Sequence, residues 1–228
     1  MTNRLNELTE TQRWHLLVSA AKDALESKGY TLSRVPGRGL SNIWNVEKGG
    51  KSQVAAIRTT RDRWIAFPPL ENGTKWKTLD DVDLVVVAAV DAKDNPQNIE
   101  VYVFPQADVR KRFDDAYAAR TKAGQVNKDN YGMWVGLDKD KRGIAASVGS
   151  GIVEHYKRIA DFSVDALLSA VEMSDAETLR DTVVDDRSEV SNDLPATIAE
   201  VMEMARQRVA EIAGVRSDAV KLDLKIEY

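Results

Sequence analysis

The sequence predicts a mixed α/β (α+β) protein in which a central mixed β-sheet is flanked by helices. Residues 11–28 carry apolar side chains at helical spacing, and short β-rich runs separated by turn residues follow between 42 and 67. Residues 83–91 contain a continuous apolar run, Leu84 to Val90, that is rich in valine. Because such a strand is usually covered on both faces, we expect it at the centre of the sheet.

The first helix is predicted from about Thr11 to Lys28. Its apolar face consists of Trp14, Leu17, Val18, Ala21 and Leu25. Thr9 and Gln12 resemble a capping box, in which each side chain bonds the backbone amide of the other residue. Gly29 then ends the helix, because glycine readily adopts the left-handed backbone that follows many helices.

Three strands are predicted next, at residues 42–46, 53–59 and 63–67. Gly49 and Gly50 mark the turn between the first two strands. The turn between the second and third strands, residues 59–63, is basic. The third strand ends at Pro68 and Pro69, because proline has no amide hydrogen for a sheet ladder.

The later elements fall into two groups. A strand at 99–104, a helix at 107–122 and a short strand at 133–137 complete the first group. Helical patterns follow at 152–160, 164–171, 176–183 and 194–212, and an alternating strand at 219–228 closes the chain. We therefore divide the chain into a core, residues 1–145, and an acidic helical appendage, residues 146–228, that ends in a helix and a strand.

The composition is that of a globular protein. Of the 228 residues, 43% are hydrophobic, 30% are charged and none is cysteine, which excludes disulfides and thiolate chemistry. The longest apolar run, Leu84 to Val90, is much shorter than the ~20 residues that cross a bilayer. The first residues lack the apolar stretch of a signal peptide. We expect a cytoplasmic protein that makes no membrane contact.

Charge is distributed unevenly along the chain. The formal net charge is −4. Residues 31–77 contain nine Lys or Arg and three Asp or Glu, whereas residues 160–228 contain seven Lys or Arg and sixteen Asp or Glu. A basic segment and an acidic segment in one chain indicate two surfaces with different partners, two surfaces that face each other, or two ordinary solvated faces.

Residues 53–67 read Q-V-A-A-I-R-T-T-R-D-R-W-I-A-F, which predicts a strand, a basic turn and a strand. Asp81 and Asp83 open the buried strand, and Glu100 lies in the strand after it. Together with the preceding helix, this order resembles the restriction-endonuclease-like superfamily, the PD-(D/E)xK nucleases, over residues 10–137. The resemblance implies a nuclease-like core in which one strand carries an acid or glutamine, one further residue and then a lysine.

This chain departs from that pattern at the catalytic positions. Ala56 stands where the resemblance implies an acid or glutamine, and alanine offers no oxygen to a metal ion. Arg58 stands where it implies a lysine, and arginine does not lose its proton near neutral pH. The resemblance therefore implies a degenerate core, and we predict no catalytic residue, no metal ligand and no cofactor.

The basic segment is the candidate binding surface. Cationic side chains neutralise phosphates, and an indole can stack on an unpaired base. We therefore predict a non-catalytic protein that binds nucleic acid, or a nucleic-acid-processing partner, through a basic hairpin. The predicted contact residues are Arg38, Arg58, Arg61, Arg63, Trp64, Lys75 and Lys77.

Two other functions remain open at this point. The acidic appendage, with its last strand, could recruit a protein partner or a second copy of the chain, which would make the protein an interaction or regulatory module. Alternatively, Glu47, Asp81 or Asp83 could supply a migrated metal site, which would make it a metal-dependent nuclease. The sequence does not distinguish DNA from RNA as a ligand.

Overall fold

A computed structural model describes residues 4–35, 42–170, 206 and 221. The chain divides into two compact units, Met1–Ala176 and Glu177–Tyr228. The helices predicted at 176–183 and 194–212 and the strand at 219–228 lie outside the described residues, apart from 206 and 221. Within the described part of the chain, no helix has both the length and the apolar character needed to span a bilayer.

Among the residues described, the first unit contains four α-helical segments and ten strands. The helices are α1 (Arg4–Glu7), α2 (Glu10–Ser27) and α3 (Gln106–Lys122). The strands are β1 (Thr31–Arg34), β2 (Ile43–Lys48), β3 (Lys51–Thr60), β4 (Trp64–Phe67), β5 (Pro69–Leu70), β6 (Lys75–Trp76), β7 (Leu84–Val90), β8 (Asn98–Pro105), β9 (Met133–Gly136) and β10 (Ala160–Ser163). Residues 164–170 are also helical.

Six strands form one mixed sheet in the order β1-β2-β3-β7-β8-β10. β3 and β7 run parallel, with Ala56 beside Val85, and the other neighbouring strands are antiparallel. The predicted mixed α/β class with a central sheet is therefore confirmed. β7 lies in the interior of the sheet, as the apolar run at residues 83–91 indicated.

β7 supplies apolar side chains to both faces of this sheet. Val85, Val87 and Ala89 join a core with α3 and the small strands that follow β3. Val86, Ala88 and Val90 join a second core with α2. Because adjacent residues of a strand point to opposite faces, only a continuously apolar strand can serve both cores.

The start of α2 confirms the predicted capping box. The Gln12 amide donates to Thr9 Oγ1 at 3.2 Å, and the Thr9 amide donates to Gln12 Oε1 at 2.9 Å. Leu17, Ala21 and Leu25 lie on the buried face of the helix as expected. Trp14 does not, because 40% of its surface is exposed.

The basic segment does not form the hairpin that the sequence predicted. The predicted strands at 53–59 and 63–67 exist as β3 and β4, with the turn between them. However, β3 pairs with β2 and β7, whereas β4 pairs with β9 in a separate two-stranded sheet. The chain turns out of the main sheet after Thr60, so β4 faces a different set of neighbours from β3.

The helix predicted at 152–160 is also wrong. Residues Ile152–Glu154 form a single 3-10 turn, and β10 begins at Ala160 and pairs with β8. The amide of Val164 donates to the carbonyl of Gln97 and extends this contact. The amide of Ile159 also donates to the carbonyl of Val101 at 2.7 Å, so the end of the predicted helix already pairs with the sheet edge.

Three aromatic rings join the small strands to α3. The ring centre of Phe113 lies 5.3 Å from that of Phe67 and 5.1 Å from that of Trp76, and both contacts are edge-to-face. Trp76 also donates its indole N–H to Asp114 Oδ1 at 2.7 Å. These buried contacts anchor β4 and β6 against the sheet.

We predict that Phe113→Ala lowers the free energy of unfolding by about 4 kcal/mol, because the change removes a fully buried ring and leaves a cavity. The matched control is Tyr131→Ala, at a ring that is 68% exposed, which should change stability by less than about 0.5 kcal/mol. Urea denaturation followed by circular dichroism measures both values. Equal effects of the two substitutions would contradict the assignment of Phe113 to the core.

Candidate functional site

A concave pocket of about 640 Å³ opens at the carboxyl end of β3. α2, β3, β4 and β9 contribute to its walls, together with the connection that follows β7. The first turns of α2 form one side, and the paired strands β4 and β9 form another. We call it the tryptophan pocket. Its lining residues include Arg13, Trp14, Leu17, Arg58, Arg61, Trp64, Ala66, Lys93 and Trp134.

Cationic side chains outnumber acidic ones in the tryptophan pocket. Among its described lining residues, four are cationic (Arg13, Arg58, Arg61 and Lys93) and two are acidic (Glu10 and Asp62). A concave surface with an excess of one charge concentrates the opposite charge from solution. The pocket should therefore attract anions.

Arg58 lies near the carboxyl end of β3. It lines the tryptophan pocket and is half-buried. Its guanidinium carbon lies 4.7 Å from the ring centre of Phe67, and its Nη1 donates to the carbonyl of Ile57 at 3.2 Å. Burial lowers the pKa of Arg58 to about 10, so the side chain stays charged at neutral pH. An anion in the pocket would meet a cation that is already partly removed from water.

Arg61 and Arg13 each carry a buried donor without a partner among the described residues. Arg61 Nη2 donates to Asn6 Oδ1 at 3.0 Å, which draws the basic turn toward α1. The Nε atoms of Arg61 and Arg13 are buried, and neither has a hydrogen-bond partner within residues 4–35 and 42–170. A buried donor without a partner costs free energy.

Three tryptophans line the same pocket. β4 and β9 pair with Ala66 opposite Trp134, so Trp64, Ala66 and Trp134 share one face of this two-stranded sheet. The opposite face carries the buried Ile65 and Val135. Trp134 is 46% exposed, Trp64 is half-buried, and Trp14 reaches the pocket from α2.

The ring of Trp134 packs closely over the backbone at Gly132. A Cβ atom placed on Gly132 would lie 2.7 Å from the Trp134 ring, which is too close for the ring to stay in place. Glycine at this position therefore permits the orientation of the indole. The ring of Trp14 is in edge-to-face contact with His15, with 4.8 Å between the ring centres.

The structure brings together three of the predicted contact residues, Arg58, Arg61 and Trp64, in the tryptophan pocket. Lys75 and Lys77 do not line it, and Lys75 pairs with Glu71 at 2.7 Å. Predicted contact residue Arg38 lies outside the described residues.

Arg63 also lies outside the tryptophan pocket, because its side chain is tied into the fold. Its backbone has φ of 62°, in the left-handed region that non-glycine residues rarely adopt. The guanidinium donates from Nε and Nη2 to Asp138 at 2.6 and 3.0 Å. Its Nη1 donates to Glu100 Oε2 at 2.9 Å and to the Val90 carbonyl at 2.8 Å. Arg63 thus joins the basic turn to β7, β8 and the segment after β9.

Glu100 is the central acceptor of this arrangement. Besides Arg63, it accepts from the Tyr102 hydroxyl at 2.8 Å and from Arg158 Nη1 at 2.5 Å. Burial alone would raise the pKa of Glu100, but the hydrogen bonds from Tyr102 and Arg63 outweigh burial and hold the pKa below its ordinary value. Glu100 is therefore an ionised structural acceptor at neutral pH. We call these residues, with Asp138, the Arg63 cluster.

Of the positions that the nuclease resemblance singled out, Arg58 lines the tryptophan pocket, whereas Ala56 and Asp83 do not. Ala56 is fully buried between Ile43 and Val85 in neighbouring strands. Asp83, before β7, accepts from the amide of Val54 at 2.8 Å, at the opposite end of β3 from the tryptophan pocket. Within residues 4–35 and 42–170, no three His, Asp or Glu side chains are grouped so that they could hold a metal ion.

No protein-family model, curated protein or solved structure matches this chain. The candidate site therefore rests on the geometry and the chemistry of the residues that line it.

Sequence reasoning missed Arg13, Trp14, Lys93 and Trp134 as lining residues. Trp134 carried a usable signal, because it alternates with the buried Met133 and Val135 and so had to face the other way. The position of Trp14 was misleading. It continues the apolar stripe of α2, which predicts burial, but the buried residues of this helix begin only at Leu16. The sequence of the basic segment alone could not predict that residues 13, 93 and 134 line the same pocket.

We predict that Glu100→Gln lowers the free energy of unfolding by about 3 kcal/mol, because it leaves Arg63 charged and largely buried without one of its carboxylates. The control is Glu71→Gln, which breaks the exposed pair with Lys75 and should cost less than about 1 kcal/mol. Both values come from urea denaturation at neutral pH. A cost for Glu100→Gln as small as that of the control would show that the Arg63 cluster is not structural.

The contribution of Glu100 should also depend on pH. Since its pKa is lower in the folded protein than in the unfolded chain, the stabilisation is complete above the unfolded value of about 4.3 and is lost as pH falls through the folded value. Part of the stability difference between the wild type and Glu100→Gln should therefore disappear below about pH 4. Denaturation curves at several pH values measure this. A difference that grows on acidification would contradict it.

Proposed function

We propose that this protein binds nucleic acid at the tryptophan pocket and does not cleave it. The observation that carries the proposal is the combination of cationic side chains and indole rings in one concave site. Cationic side chains neutralise phosphates, and aromatic rings stack on bases. The predicted residues Arg58, Arg61 and Trp64 belong to this site, and Arg13, Lys93, Trp14 and Trp134 add to it.

The electrostatics favour a phosphate-bearing ligand over a neutral one. Arg58 stays charged although burial has lowered its pKa, and Arg13 and Arg61 line the same pocket. Charge-assisted hydrogen bonds from guanidinium to phosphate are among the stronger ones in proteins. A phosphate in the pocket would gain such bonds from these side chains.

Two residue identities support binding without cleavage. The side chain of Ala56 has no oxygen with which to ligate a metal ion, and Ala56 is buried. Arg58, at the position where the resemblance implies a lysine, keeps its proton at neutral pH and is a poor general base. We propose further that the core is a degenerate member of the restriction-endonuclease-like superfamily, as the sequence resemblance implied, and that it has lost strand hydrolysis.

We predict that Arg61→Glu weakens nucleic-acid binding at least about tenfold, because it replaces a phosphate donor with a repulsive charge. The slope of log Kd against log salt should also fall by about one, as expected for one lost phosphate contact. Fluorescence anisotropy with a labelled strand of about 20 nucleotides, free and as a duplex, measures both quantities.

The matched control is Lys51→Glu, which makes the same change of charge at an exposed residue at the opposite end of β3. It should leave the affinity within about twofold of the wild type, since a single distant surface charge is largely screened at physiological salt. Equal losses for the two variants would mean that binding reflects overall charge and not the tryptophan pocket.

We also predict that the wild-type protein leaves an end-labelled strand or duplex intact in the presence of Mg²⁺ or Mn²⁺. Gel electrophoresis after prolonged incubation tests this. A product that disappears when Asp83 is changed to Asn would overturn the non-catalytic proposal and would favour a migrated metal site.

A further inference from the structure

We infer that the tryptophan pocket selects single-stranded nucleic acid and takes unpaired bases between its indole rings. This inference rests on the proposed function and adds the class of nucleic acid that the site recognises. Within a duplex the base faces are covered by neighbouring bases, whereas an unpaired base can offer its face to an aromatic side chain. Selection of single strands therefore requires that the pocket presents indole faces and not guanidinium groups alone.

The exposure of the indoles shows that they are available. Trp14 is 40% exposed and Trp134 is 46% exposed, although the pocket that they line also includes the buried Leu17. Trp76, in the aromatic core, is only 1% exposed and donates its N–H to Asp114. Large exposed aromatic rings at a concave surface commonly mark a binding site. Trp14 and Trp134 are thus not needed to complete the core.

The shape of the site argues against a duplex. Proteins that read the major groove of duplex DNA insert a projecting helix or ribbon into a groove about 12 Å wide. Here the basic turn does not project as a hairpin, since β4 leaves the main sheet to pair with β9 and Arg63 is bonded to Glu100 and Asp138. The cationic and aromatic groups line a hollow, which a stiff cylinder cannot enter and a flexible strand can.

The size of the pocket matches a small number of nucleotides. Its volume of about 640 Å³ lies within the range of roughly 300–1,000 Å³ that is typical of sites for small organic ligands. Guanidinium donors lie on the same walls as the indoles: Arg13 precedes Trp14 on α2, and Arg61 lies in the turn before Trp64. A strand could therefore place a base against an indole and its neighbouring phosphate against an arginine.

The test compares one sequence of about 20 nucleotides as single-stranded DNA, as single-stranded RNA and as a blunt DNA duplex, at the same salt concentration. Anisotropy titrations are made with the full-length wild type and with Trp14→Ala, Trp134→Ala and Arg61→Glu. Tyr131→Ala is the aromatic control, because Tyr131 is exposed and does not line the pocket. Urea denaturation of each variant shows whether it is folded.

We expect single strands to bind at least about tenfold more tightly than the duplex. Trp14→Ala and Trp134→Ala should each weaken single-strand binding by about 5- to 150-fold, the usual effect of removing one stacking ring, and should leave duplex binding unchanged. Trp14→Phe and Trp134→Phe should retain most of the affinity, since an aromatic face remains. The DNA and RNA titrations show which sugar is preferred, and either preference supports the inference.

Two results would overturn the inference in different ways. If the duplex binds as tightly as the single strands, or if neither tryptophan matters while Arg61→Glu still weakens binding, the selection of single strands is wrong and the proposed nucleic-acid site survives. If no oligonucleotide binds to the folded wild type, both the inference and the proposed function are wrong.

Discussion

The position of the candidate site depends on the ion pairs of Arg63. This side chain bonds Glu100 on β8, Asp138 after β9 and the last carbonyl of β7, so it fixes the turn that follows β3 to three other parts of the fold. The turn contains Arg61, and β4 begins with Trp64 immediately after it. A cationic residue that sequence alone assigns to ligand binding thus orients the neighbouring residues that face the pocket. Since both partners are largely buried, the pairing is also costly to disrupt.

The main sheet explains why the pocket lies where it does. β7 has apolar residues on both faces and lies between β3 and β8, with one core packed on each side. Because β3 and β7 are parallel, the chain must travel back along the sheet between them, and β4, β5 and β6 lie on this return path. The return path contributes Trp64 to the pocket and Phe67 and Trp76 to the core. One continuous segment therefore contributes both to the pocket and to the core that packs against α3.

More of the fold than of the candidate site could be predicted from the sequence. Local signals identified the capping box of α2, the central strand β7 and helix α3, because each depends on residues close together in the chain. The strand β10 was not predicted, since its pairing with β8 is a contact between distant residues. The same reason limited the prediction of the site. Arg58, Arg61 and Trp64 were named from one segment, but Trp14, Lys93 and Trp134 reach the pocket from other elements.

The sequence separations within the Arg63 cluster have a consequence for the order in which the molecule is assembled. Arg63 bonds partners that lie 37 and 75 positions further along the chain, and Trp134 lies near the more distant of them. During synthesis on the ribosome, α2 and β3 emerge well before β9, so the pocket cannot be complete until most of the first unit has been translated. A nascent chain that stopped before β9 would carry Arg58 and Arg61. It would lack Asp138, the second carboxylate that bonds Arg63, and Trp134, one of the three indoles of the pocket.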